Sequence, residues 1–130
     1  MEEKKRIFIA DDDEAALVSL RKLLELSGFD VEAVREAKDI VARIKSFKPN
    51  LLLLDLLMPH LGGFEICQML NNDKETQGIP IIIISGLSGY ADIKSAYKLG
   101  VVGYVTKPYD FKKLLEEINK TIRYKEAKLE

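Results

Sequence analysis

Short apolar runs alternate along the chain with stretches in which apolar residues recur every three or four positions. Ile7-Phe8-Ile9-Ala10 predicts a first strand. Leu17, Leu20 and Leu24 follow at helical spacing, and Ser27-Gly28 predicts the end of that helix, because glycine accepts the conformation of a helix C-terminus. Phe29 to Val34 alternates apolar and polar, the pattern of an outer, half-exposed strand. Ile40, Val41, Ile44 and Phe47 line a second helix that stops before Pro49. Leu51 to Leu54 is apolar throughout, as in a strand covered on both faces. A loop through Pro59 and Gly62-Gly63 leads to a third helix carrying Phe64, Cys67 and Leu70. The most β-branched run, Ile79 to Ile84, predicts the fourth strand. A helix from about Tyr90 to Leu99, closed by Gly100, a strand over Val101 to Thr106, and a last helix from about Asp110 complete the order. Phe111, Leu114, Leu115, Ile118 and Ile122 share one face of that last helix.

Strands alternating with helices predict right-handed crossovers and a parallel α/β sheet covered on both sides. At 130 residues the chain is of single-domain size, with enough length to bury a core without disulfide or metal staples. A net charge of −1 argues against chain-wide attraction to nucleic acid or an anionic membrane. The single Cys67 excludes an internal disulfide and fits a reducing compartment. No apolar run approaches the roughly 20 residues that span a bilayer, and the four apolar residues after Arg6 are too few for a secretory signal. The expectation is a cytoplasmic protein.

In an open α/β sheet ligands bind beyond the carboxyl ends of the strands. Asp11 and Asp12 follow the first predicted strand, Asp55 the third, Ser85 ends the fourth and Lys107 follows the fifth. Three carboxylates, a hydroxyl and an ammonium are therefore expected on one edge. Adjacent acids at a strand end suit Mg²⁺, which binds through one or two carboxylates plus phosphate and keeps several waters. Helix capping is the plainer reading of Asp11-Asp12, but Asp13 and Glu14 stand next in line for that work. Asp55 interrupts two leucine-rich runs, where an unpaired carboxylate is costly. Crowded carboxylates repel, which predicts a raised pKa for at least one. A carboxylate is also a competent nucleophile toward phosphorus. Lys107 supplies a cation, and Ser85 is either a donor to a phosphate oxygen or simple turn chemistry.

These stretches together resemble the receiver domain of two-component response regulators, and the chemotaxis single-domain receivers among them. The residues that carry the resemblance are Ile7 to Asp12, Asp55-Leu56-Leu57-Met58-Pro59 with Gly63 eight places after the acid, Ser85-Gly86, and Gly103 to Pro108. The resemblance implies a flavodoxin-like doubly wound (βα)5 fold, with strand order 2-1-3-4-5, over residues 1–123. It implies that Asp55 accepts a phosphoryl group from the phosphohistidine of a histidine kinase or a histidine phosphotransfer protein. Asp11, Asp12, Asp55 and the backbone carbonyl of Leu57 would hold Mg²⁺, with Ser85 and Lys107 on the phosphoryl oxygens and the Lys107-Pro108 bond often cis. Tyr104 aligns with the switch aromatic, and the surface of the fourth helix, fifth strand and fifth helix would change shape and is a candidate dimer face on phosphorylation. The expectation is a signalling domain rather than an enzyme. A phosphorylation-independent docking module is the alternative, and an aspartate-nucleophile phosphatase is disfavoured because Leu57 stands where its second acid belongs.

In the family that this sequence resembles, the side chains two places past the phosphoacceptor and two past the Ser/Thr influence the attacking water. Leu57 and Leu87 lie two residues past Asp55 and Ser85, and neither side chain orients a water molecule. A persistent phosphoform is expected. His60 reads as a solvated loop histidine, and Cys67 as core packing. Residues 124–130 extend the last helix, as a charged helix end or as the start of a connector. No helix-turn-helix or catalytic output segment follows, so the output is expected from a downstream protein or a domain outside these residues.

Overall fold

A computed structural model describes residues 3–58 and 61–129; Pro59 and His60, and the side chain of Leu129, lie outside the described residues. The chain forms β1 (Arg6–Ala10), α1 (Glu14–Leu26), β2 (Asp30–Val34), α2 (Ile40–Phe47), β3 (Leu51–Leu54), α3 (Gly63–Asn71), β4 (Ile81–Ser85), α4 (Tyr90–Lys98), β5 (Gly103–Thr106) and α5 (Phe111–Leu129). All strand pairs are parallel, and the sheet order is β2-β1-β3-β4-β5. This is the doubly wound order expected.

Side-chain alternation explains why the central strands are apolar at every position. Ile7, Ile9, Leu51, Leu53, Ile82 and Ile84 meet α1 and α5 on one face. Phe8, Ala10, Leu52, Leu54, Ile81 and Ile83 meet α2, α3 and α4 on the other. Each leucine of β3 is fully buried, and burial of one leucine side chain is worth roughly 1.5–3 kcal/mol. The strand that ends at Asp55 is therefore among the best-anchored segments of the molecule. β2, by contrast, lies on the edge with Asp30 exposed; Val31 is buried on the α1/α5 face, as the alternation predicts, and Val34 is buried on the opposite face, out of phase with it.

Local signals place the helix ends. The Asp13 carboxylate accepts from the Ala16 amide at 3.2 Å and caps α1, and Gly28 takes a φ of 100° after it. Gly100 does the same after α4, with a φ of 91°. Two predicted strands are shorter than their apolar runs. Ile79 and Pro80 precede β4, proline having no amide to donate, although the Pro80 carbonyl still accepts from the Leu52 amide at 2.9 Å. Val101 and Val102 precede β5, whose regular pairing begins at Gly103 opposite Ile82. Cys67 is buried in α3, and Leu114, Ile118 and Ile122 of α5 are buried as expected.

Candidate functional site

Strand order reverses about β1, so the crevice between the chain segments leaving β1 and β3 is the natural ligand position. Register does the rest. Ala10 pairs with Leu54, so Asp11 and Asp55 leave neighbouring strands at the same level. Their backbone amides are fixed by carbonyls of adjacent strands: Asp11 donates to Val34 at 3.1 Å, and Asp55 to Ala10 at 2.9 Å. Ser85 pairs with Thr106, and the Lys107 amide donates to the Ser85 carbonyl at 2.8 Å. Lys107 thus leaves the sheet edge at the height of Ser85, through a cis bond to Pro108.

The side chains converge. Asp11, Asp12 and Asp55 each present a carboxylate oxygen within 4.8 Å of the others. Asp11 and Asp55 are buried, at 5% and 6% exposure, while Asp12 is exposed. In each buried acid one oxygen is tied to the backbone two residues on: Asp11 Oδ1 accepts from the Asp13 amide, and Asp55 Oδ1 from the Leu57 amide, both at 3.0 Å. The other oxygens face Lys107, whose Nζ donates to Asp11 Oδ2 at 2.7 Å and Asp55 Oδ2 at 3.3 Å. Asp13 caps α1, which leaves Asp11 and Asp12 free of that task.

Electrostatics follows from this geometry. Burial pushes the Asp55 carboxyl above the usual aspartate range; the Leu57 amide and the Lys107 charge oppose the rise, and the Asp11 charge adds to it. The direction matches the sequence-based expectation, but desolvation outweighs the carboxylate repulsion proposed as its cause. Burial also works against the Lys107 ammonium, yet Asp11 and then Asp55 overcome it and lift the lysine above its ordinary value. A partly desolvated acid cluster with one ammonium between two of its members is a fit environment for a hard divalent cation with oxygen ligands.

Ser85 is fully buried, and its Oγ accepts from the Leu87 amide at 3.1 Å. In this state its hydroxyl oxygen does turn work, one of the two roles the sequence left open. The Tyr104 hydroxyl donates to the Leu87 carbonyl, so Ser85 and Tyr104 hold the same residue from two sides. Burial raises the Tyr104 phenol, against the Ser85 hydroxyl, and the charges of Asp92 and Asp55 add to the rise. Leu87 is half-buried; the Leu57 side chain is 57% exposed.

Residues 7–119 match the response regulator receiver domain. The chain belongs to that family. The receiver is 36% identical to the protein PilH of Pseudomonas aeruginosa over 114 residues, covering 88% of this chain and 94% of PilH. It is 34% identical over 120 residues to RpaA of Synechocystis, a DNA-binding dual master transcriptional regulator, covering 91% of this chain but 49% of that one. The chain thus spans about half the length of several curated relatives it matches, RpaA first among them. A CheY-like receiver domain protein from Methanospirillum hungatei superposes with a TM-score of 0.90 at 30% identity, over 97% of this chain and 99% of that one.

Two features of the receiver site were not legible as sequence. A Cβ at Gly63 would sit 2.8 Å from both the Asp55 carbonyl oxygen and Leu56 Cα, so α3 begins directly against the backbone that carries the acid. The spacing from Asp55 to Gly63 was visible, but its steric reason was not. Tyr109 also borders the site: burial raises its phenol, the Lys107 charge opposes this and the Asp11 charge adds to it. The only signal was its place two residues after Lys107. Among the described residues, no helix is long and apolar enough to cross a membrane.

Proposed function

We propose that the protein is a phosphorylation-driven signalling receiver in which Asp55 accepts a phosphoryl group from the phosphohistidine of a histidine kinase or histidine phosphotransfer protein. The observation that carries this reading is the Lys107 bridge between Asp11 and Asp55 inside a three-carboxylate cluster, at the point where strand order reverses. The Asp55 oxygen attacks phosphorus, the donor's N–P bond breaks, and its electron pair stays on the imidazole, which takes up a proton. Asp11, Asp12 and Asp55, with the Leu57 carbonyl, are the residues that would hold Mg²⁺. When bound, that ion neutralises charge on the phosphoryl oxygens. Lys107 adds a second positive charge against the same oxygens. Most of the protein's contribution is positioning and charge neutralisation rather than covalent chemistry, which suits a phosphoacceptor domain better than an enzyme acting on external substrates.

The readout begins at Ser85. If its side chain rotates to donate the hydroxyl to the new phosphoryl group, the oxygen moves away and releases the Leu87 amide. The loop whose Leu87 carbonyl holds the Tyr104 hydroxyl is then free to shift, and Tyr104 with it. The α4-β5-α5 surface would carry that change to a downstream output protein, to an output domain, or to a second copy of the chain. Residues 124–129, the end of α5, would belong to a connector in the second case.

Incubation with Mg²⁺ and acetyl phosphate, followed by intact mass measurement, tests the proposal. One added phosphoryl group on the wild type and none on Asp55→Asn is expected. Absence of an adduct at every Mg²⁺ concentration would overturn it in favour of a phosphorylation-independent docking module.

A further inference from the structure

A cavity of about 560 Å³ opens at the end of the sheet opposite the acidic cluster, where β4 and β5 begin. Its walls come from the segment before β4, the segment before β5 and the last turns of α5. Lys120, Thr121, Tyr124, Lys125 and Lys128 all line it, and all lie beyond residue 119, where the family match stops. One wall of the cavity is therefore built by a part of this chain that the matched receiver residues do not include.

Its chemistry is two-sided. Ile79 and Pro80 are half-buried, while Val102 and Tyr124 are 50% and 64% exposed, which leaves an apolar and aromatic wall open to solvent. Three lysines, Lys120, Lys125 and Lys128, line it against one acid, Glu117. Glu126 is engaged elsewhere, its carboxylate 3.1 Å from Lys5 Nζ. A chain of net charge −1 thus carries a local cationic excess here. Two of the cations are already placed. A Cβ at Gly78 would lie 3.7 Å from Lys125 Nζ, so that ammonium reaches over backbone with no side chain in the way. Lys128 Nζ lies over the Tyr124 ring, 5.4 Å from its centre, so the positive charge takes one face of a ring that is otherwise largely exposed.

Aromatic rings stack on tyrosine, and lysine ammonium groups bind phosphates as point charges. The volume falls in the range of roughly 300–1,000 Å³ typical of small-ligand sites. We propose that this cavity binds a nucleotide-like ligand, a planar heteroaromatic ring bearing phosphates, with the ring on Tyr124 and the phosphates among Lys120, Lys125 and Lys128. The site is independent of phosphoryl transfer at Asp55 and gives the receiver a second chemical input at the far end of the same two strands.

Titration of the full chain with ATP, tripolyphosphate and adenosine, followed by backbone amide NMR after removal of divalent cations, tests this. ATP is expected to shift the amides of Gly78, Gly100, Val102 and residues 117–128, to leave those of Asp11 and Asp55 in place, and to bind about tenfold more tightly than either fragment. Tyr124→Ala is expected to bring ATP down to the affinity of tripolyphosphate, and Lys125→Glu to weaken both. Each alters an exposed side chain, and the dispersion of the same spectra reports whether the fold is retained. Tripolyphosphate binding as tightly as ATP would reduce the cavity to a cationic surface and overturn the proposal. So would ATP shifts centred elsewhere or absent, adenosine binding as tightly as ATP, or an ATP affinity indifferent to Tyr124→Ala.

Discussion

Burial acts on Asp55 before any partner does, and it favours the protonated acid. With its folded pKa above the unfolded value, the folded state holds more protons in the interval between the two. Stability contributed through this group therefore falls as pH rises through that interval, and the cost of the charged acid remains at neutral pH. Asp55→Asn removes that charge while keeping the shape. Thermal unfolding at neutral pH without divalent cations is expected to show a higher Tm for the variant, by a few degrees, with the gap closing toward acid pH; an equal or lower Tm at neutral pH would contradict it. Lys107 has a dependence of the same sign at higher pH: its raised pKa means that the support it gives is complete below the ordinary lysine value and is lost as pH climbs through the folded one. Leu57 and Leu87 offer no hydrogen-bonding side chain to a water attacking the phosphoryl group, so we propose a long-lived phosphoform. Leu57→Asn or Leu87→Glu is expected to shorten its lifetime by about tenfold or more, the full general acid–base effect being about 10²–10⁴-fold. Decay followed by intact mass decides, and fast wild-type loss unchanged by either substitution would sink the idea.

At the scale of elements, the site depends on how closely α3 approaches the end of β3. Gly63 has Asp55 and Leu56 backbone atoms 2.8 Å from where a Cβ would stand, and backbone there cannot swing aside as a flexible side chain can. Gly63→Ala is expected to cost about 1–3 kcal/mol, the usual range for overpacking, and to displace the Asp55 loop. Urea denaturation would measure the first and phosphorylation rate the second. A variant as stable and as reactive as wild type would show that α3 retreats at no cost. Gly62, whose nearest foreign atom to a Cβ is the Leu56 carbonyl oxygen at 3.6 Å, supplies the control: Gly62→Ala should be far milder. The cluster as a whole also sits on strand ends rather than on long loops, so its spacing is set by sheet register.

At the scale of the whole molecule, a cation that binds the folded cluster but not the unfolded chain must stabilise the fold by mass action. The expected gain is about 2.7 kcal/mol when Mg²⁺ stands at 100 times its dissociation constant. It should appear as a Tm that climbs with Mg²⁺ concentration and should be largely lost in Asp12→Ala. Asp12 is exposed, so the substitution itself carries little folding penalty and the comparison is clean. A Tm insensitive to Mg²⁺ would remove the metal from the proposed chemistry.

Much of this molecule was present in residue order alone. A period of two against a period of 3.6 separates strand from helix, and apolar residues at every strand position reveal a sheet covered on both faces, because each face needs its own helices. Strands alternating with helices compel parallel pairing, and parallel pairing puts every strand's carboxyl end on one edge. Hence Asp11, Asp12, Asp55, Ser85 and Lys107 could be assembled before any coordinate was known. What needed the folded chain was distance. The Lys107 bridge, the dominance of burial over repulsion at Asp55, the clash that reserves position 63 for glycine, and the Ser85–Leu87–Tyr104 connection all rest on spatial contacts that residue order does not display. So does the cavity where residues 78–80 meet α5. Periodicity is local and survives in the one-dimensional string, whereas contact and desolvation depend on which surfaces the sheet finally brings together.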